Sequence, residues 1–201
     1  MRTLCYLILP AAALLVMRPD RGQKQGAPDA SQFSVLGVTI GRDDITSLRT
    51  KLGPVQKCHT RSHVEIAGYR NADQEVIFEF GEVGGGHVTS FYLRPRVGRA
   101  ECPESRLPDN ISQISTEGRI HIGMTEDEFG HILGPPHAKT KEGEWKYSWE
   151  WEEPLTDQEK KRASIVFPGA NVSEAEVSVT VRAKFSEHIL RYFYISRLEV
   201  L

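Results

Sequence analysis

The sharpest pattern of hydrophobic and polar positions in the chain lies between Arg119 and Trp151. Phe129, Ile132 and Leu133 fall at i, i+3 and i+4, the spacing of an apolar stripe along a helix. Thr125 stands where an N-cap accepts from the first turn. Glu128, three residues on, completes a capping box, and Glu126, Asp127 and Glu128 all face the positive helix end. Gly134 and the Pro135-Pro136 pair stop the helix. The period then drops to 2: Trp145, Tyr147, Trp149 and Trp151 alternate with Lys146, Ser148 and Glu150, which predicts a strand with one aromatic face. A helix this short is marginal alone in water, so that strand is its expected partner.

The same order is visible earlier in the chain. Asp43 is the expected N-cap, Ile45, Leu48 and Leu52 form the stripe, and Gly53-Pro54 is the stop. Strands are expected over 62–70, 74–80 and 87–94, with turns at 71–73 and 81–86. Residues 95–118 carry Pro95, Pro103 and Pro108 but no sustained period, and read as a linker or crossing arm. After the aromatic strand come a polar insertion at 152–163, a short apolar run at 165–167 and two strong strands. Val177, Val179, Val181, Ala183 and Phe185 share one face of the first, opposite Glu176, Ser178, Thr180, Arg182 and Lys184, so one face is buried and the other wet. In the last, 189–201, Leu190, Tyr192, Tyr194, Leu198 and Val200 lie on one face and Phe193 and Ile195 on the other, as in a strand covered on both sides. Gly41, Leu52, Gly53 and Pro54 match Gly123, Leu133, Gly134 and Pro135 at a spacing of roughly 82 residues. The expected class is α+β: two tandem units, 33–94 and 119–201, each a short helical element packed on an antiparallel sheet and joined by 95–118.

The N-terminus changes this picture by adding a targeting segment. Arg2 is followed by 14 apolar residues from Leu4 to Met17, then by the polar stretch from Arg18 to Gln25. That order fits a signal peptide over 1–26, or an uncleaved signal anchor, with 21–32 as a tether. A buried N-terminal helix is the alternative. With 39% hydrophobic and 26% charged residues, the 201-residue chain can bury one substantial core or two small ones. Its net charge is -2; without residues 1–26, 21 basic residues face 26 acidic ones, a net of -5. This balance, and the lack of a visible Lys/Arg-rich face with interleaved aromatics, argues against a general nucleic-acid binder. Cys58 and Cys102 remain once Cys5 is assigned to the signal. They flank the three strands of the first block, and in an exported protein they predict a disulfide, two separate buried thiols being the alternative.

The stretch from Ile122 to Pro136, followed after a loop by Trp145-Lys-Tyr147, resembles the SmpA/OmlA family of bacterial outer-membrane assembly lipoproteins, in register from Gly123 through Pro136. Two such units in tandem resemble the beta-lactamase inhibitory protein-like folds. The resemblance is good over 120–151 and only suggestive over 36–94. It implies helices on an antiparallel sheet and the binding of another protein, and it carries over no catalytic residue and no cofactor. Those lipoproteins carry a lipid-modified cysteine after the signal, whereas Cys5 lies inside the apolar run.

No residue set anchors chemistry. Cys58, His59 and His63 lack the paired spacing of a zinc site. Gly84-Gly85-Gly86 lacks the Lys-Ser/Thr of a phosphate loop, and no nucleophile motif is present. Asn110-Ile-Ser112 and Asn171-Val-Ser173 match a glycosylation pattern that has meaning only in a eukaryotic secretory pathway. The candidate site is therefore the aromatic strand face: Trp145, Tyr147, Trp149 and Trp151 are either the cover of the Phe129 stripe or a protein-binding face, with Trp151 the ring expected to be exposed. The expected function is that of an exported, non-catalytic protein-binding module, periplasmic or secreted, whose partner is another protein. The expectation includes no nucleic acid and no cofactor or metal, with membrane contact only through residues 4–17. The alternatives are an enzyme with a site in the cleft between the units, and a membrane-tethered envelope structural protein.

Overall fold

Both expected helices form, and their ends show how local sequence sets them. The computed structural model describes residues 30–60, 62–81, 86–96, 102–166, 168–169 and 172–200. The signal segment with Cys5, the glycines at 84 and 85, Phe167 and Asn171 lie outside the described residues. Helix α1 spans Ile45–Leu52 and helix α2 Glu126–Leu133. In α2 the capping box is complete: Thr125 Oγ1 accepts from the Glu128 N–H at 3.2 Å, and the Thr125 N–H donates to Glu128 Oε2 at 2.7 Å. In α1 the cap is Asp44, which accepts from the Ser47 N–H, and not Asp43. Asp43 turns back instead, accepting from the Thr39 N–H at 2.7 Å and pairing with Lys51 at 2.8 Å. Both helices end at a glycine with positive φ, 94° at Gly53 and 76° at Gly134, a backbone state that side-chain-bearing residues resist.

A 3-10 turn (Ala30–Phe33) and the hairpin of β1 (Ser34–Val35) and β2 (Val38–Thr39) precede α1. The strands β3 (Cys58–His59), β4 (Glu65–Arg70), β5 (Gln74–Phe80), β6 (Val88–Pro95) and β7 (Glu104–Arg106) follow it. After α2 come β8 (Ala138–Lys139), β9 (Trp145–Pro154), helix α3 (Asp157–Val166), β10 (Glu174–Ser186) and β11 (Ile189–Val200). The 95–118 segment thus contributes a strand, and also the buried Leu107 and Ile114. The polar insertion contributes the end of β9 and α3, which buries Ala163 against Leu155 and Ala175.

The expected class is corrected by the sheet. The α+β reading, with a helical element on its own sheet in each of two tandem units, gives way to a predominantly antiparallel β fold, 48% strand and 16% helix with three helices among the described residues. Nine strands join in one sheet, in the order β3-β4-β5-β6-β11-β10-β9-β8, with β7 lying parallel to β4. The decisive contact is β6 with β11, from Ser90↔Ser196 to Leu93↔Phe193. Each of these strands would otherwise expose a row of unpaired N–H and C=O groups at a sheet edge, and pairing them satisfies both rows at once. One core cluster consequently runs from Val35 and Leu48 through Phe78 and Phe91 to Phe129, Tyr147 and Val179. In β11, residues 190 and 192 face Phe185 and Lys184 across a register shift. The extra residue, Arg191, lets Leu190 and Phe193 both turn into the core, so the strand is not evenly covered on its two sides.

Cys58 and Cys102 form the expected disulfide, with Cα atoms 6.1 Å apart. It joins β3 to the segment entering β7, two short pieces that share the outer edge of β4. The Cβ of any residue at position 68 would sit 2.7 Å from Ile77 Cδ1 and 3.0 Å from Glu104 Cγ, so Gly68 is what lets β7 approach.

Candidate binding face

Alternation along the strands divides the sheet into two faces. The sequence-predicted aromatic face is the inner one. Tyr147 and Trp149 are buried, at 1% and 8% exposure, while Trp145 and Trp151 are half-buried. Phe129 of α2 is the hub, with its ring centroid 6.2 Å from that of Trp145, 6.1 Å from Tyr147 and 5.5 Å from Phe185. Tyr147 stacks on Trp149, and its hydroxyl donates to the carbonyl of Gly134 at the end of α2, at 2.9 Å. Burial pushes that phenol above its usual range. Tyr69 does the same for α1, donating to the Gly53 carbonyl at 2.8 Å. Trp151, the ring expected to be exposed, stacks on Phe33, donates through Nε1 to Glu153 at 2.8 Å and lies under Arg197. All four rings are therefore engaged within the chain.

The outer face carries a different aromatic group that the sequence reading did not single out. Tyr92 of β6 and Tyr192 of β11 stack at 6.1 Å, and Tyr194 is the direct cross-strand partner of Tyr92. All three are half-buried. Each ring has a cation over it: Arg94 above Tyr92 at 5.2 Å, Lys184 above Tyr192 at 5.5 Å and Arg182 above Tyr194 at 6.0 Å. Burial first, and Glu79 second, push the Tyr192 phenol up to about 12, so it remains a donor at neutral pH. Cations interleaved with aromatics thus occur here, assembled from three strands. The available signal was the repeated pairing of types, Tyr92 with Arg94, Arg182 with Lys184 and Tyr192 with Tyr194, but their union depends on the β6–β11 ladder.

Beside the tyrosines the outer face holds a buried carboxyl pair. Glu75 is fully buried and bonded to Arg94, and the Glu104 side chain is 6% exposed beside Arg70. Glu75 Oε2 and Glu104 Oε1 are both buried without a donor. A proton shared between the two carboxyls satisfies both, and burial, followed by the bond to Glu75, raises the Glu104 carboxyl to about 7. Ile66, Ile77 and Cys102 cover the pair's side of the face as a small second cluster that includes Tyr92. An open groove of about 310 Å³ between Pro54 and Pro103 has Glu104 as its only ionisable lining residue. Among the described residues no group of three His, Cys, Asp or Glu could hold a metal ion, and Cys58 is committed to the disulfide.

No helix of the described residues is long and apolar enough to cross a membrane. Compared with known proteins, the chain matches no family model, no curated protein and no solved structure.

Proposed function

We propose that this chain is an exported, non-catalytic module that binds another protein on the outer face of its sheet. The observation that carries the reading is the tyrosine cluster. Tyr92, Tyr192 and Tyr194 stand together on the face opposite to the one on which the described helices bury their apolar residues. Tyrosine pairs a large apolar ring with a polar tip, which is why it is enriched where a surface is dry in a complex and wet without it. The resemblance of 120–151 to the SmpA/OmlA lipoproteins supports the same reading. The N-terminal order of basic, apolar and polar segments supports export to the periplasm or beyond.

The test is to place a photo-cross-linking phenylalanine derivative at Tyr194 in the producing cell, and in a second strain at Ile165, which is 73% exposed on α3. A protein adduct from position 194 and none from 165 is expected. Absence of any protein adduct at 194, or a purified chain that turns over a substrate, overturns the reading.

A further inference from the structure

The chemistry of the outer face narrows the partner, a step that rests on the protein-binding reading above. Tyr92 faces Tyr194, Tyr194 faces Arg182, and Arg182 faces Lys146. These four side chains form a row across β6, β11, β10 and β9, about 14 Å long at the usual strand spacing. Tyr192 and Lys184, also direct cross-strand partners, flank it. Every polar group in the two rows can donate: phenols, a guanidinium and two ammoniums. Of the carboxylates on this face, Glu75 is bonded to Arg94 and Glu79 to the Ser90 hydroxyl.

We infer that this cationic, tyrosine-lined corner takes a short acidic polypeptide segment, about four residues in extended form, whose carboxylates pair with Lys146, Arg182 and Lys184. Glu142, on the loop before β9, lies within the field of two of these cations. Its carboxyl is held below the usual range by hydrogen bonds within its own loop, including one with Thr140, and then by the charges of Lys146 and Lys184.

A polynucleotide fits less well. Each tyrosine ring already carries a cation over one side, which takes up the surface on which bases stack. The same sheet face continues into Glu150, Glu152 and Glu176, with Glu152 and Glu176 directly opposed, and these repel a phosphate chain that runs on. The acidic end instead limits the footprint to the tyrosine corner and orients a segment that is acidic only over a short length.

The experiment uses the purified full chain with fluorescein-labelled decaglutamate, read by polarisation at low and high salt, against decalysine and decathymidylate. Saturable binding of decaglutamate that weakens with salt is expected, with decalysine inert. Reversing Arg182 and Lys184 together (R182E, K184E) should weaken it about tenfold or more, because like charges then meet across the contact. Reversing Lys160 and Lys161 on α3 controls for net charge and should leave affinity within about twofold. The inference is overturned if decaglutamate does not bind, if decathymidylate binds more tightly, or if the α3 reversal weakens binding as much. A protein adduct at Tyr194 without decaglutamate binding would remove the acidic partner and leave the protein-binding reading standing. Circular dichroism of both double variants confirms that any loss is not unfolding.

Discussion

The two faces of the sheet each hold an aromatic cluster, the inner one larger, in different surroundings. On the inner face Phe129 meets Trp145, Tyr147, Phe185 and Phe193, and the two buried tyrosines, Tyr69 and Tyr147, give their hydroxyls to the carbonyls that end α1 and α2. There the polar tip serves the fold by giving a donor to a carbonyl at a helix end. On the outer face Tyr92, Tyr192 and Tyr194 each carry a side-chain cation over the ring. Residue type alone does not separate the two roles. What separates them is whether a helix is placed above the ring.

Phe129→Ala breaks the inner cluster at its centre and is the largest expected effect. Phe129 is fully buried, and removing its ring should destabilise by about 3–5 kcal/mol in denaturant titration. A loss under about 1 kcal/mol would mean that α2 does not seal the inner face.

The next largest effect lies under the outer face and depends on pH. Glu104 has a folded pKa raised to about 7 against an ordinary 4.5. Its contribution is therefore greatest below about 4.5 and is lost as pH rises through about 7, with a slope of at most ~1.4 kcal/mol per pH unit for one proton. Asp44 and Glu128, held low by backbone hydrogen bonds from Ser47 and Thr125, act the other way and below that window. Glu104→Gln should remove the slope between about 4.5 and 7, measured as the difference between wild-type and variant stability at each pH. Equal slopes in the two proteins would show that Glu75 and Glu104 do not share a proton.

The smallest effect compares one substitution on both faces. Tyr147→Phe removes the bond to Gly134 and should cost about 1 kcal/mol. Tyr194→Phe on the outer face should stay within ~0.5 kcal/mol. Equal costs would erase the distinction between the faces.

Much of the local structure was legible because it depends on neighbours in sequence. The α2 capping box, the glycine stops at Gly53 and Gly134, and the inner face of β10 from Val177 to Ala183 follow from side chains reaching a few residues along the chain or from strand alternation. The disulfide was also legible, because only two cysteines remained outside the apolar segment. The exchange of Asp43 for Asp44 as cap was not. Both are capping residues, and the choice turns on Thr39 and Lys51, which a helix-start pattern does not weigh. Helix α3 was missed for a similar reason: the 152–163 stretch shows no apolar stripe, and its buried Ala163 meets Leu155 and Ala175 only in the fold.

By itself, then, the sequence determined the two short helices, the strand alternation and the cysteine pair, since these are set by interactions over a few residues or by count. Only the tertiary structure decided that the strands form one sheet, that the Trp145–Trp151 rings face α2, and that Tyr92, Tyr192 and Tyr194 meet with Arg94, Arg182 and Lys184. It also decided that Glu75 and Glu104 share a buried site. The physical reason is the same in each case. Strand alternation fixes which residues share a face, but edge pairing between β6 and β11, and of β7 with β4, fixes which face is covered and which distant residues become neighbours.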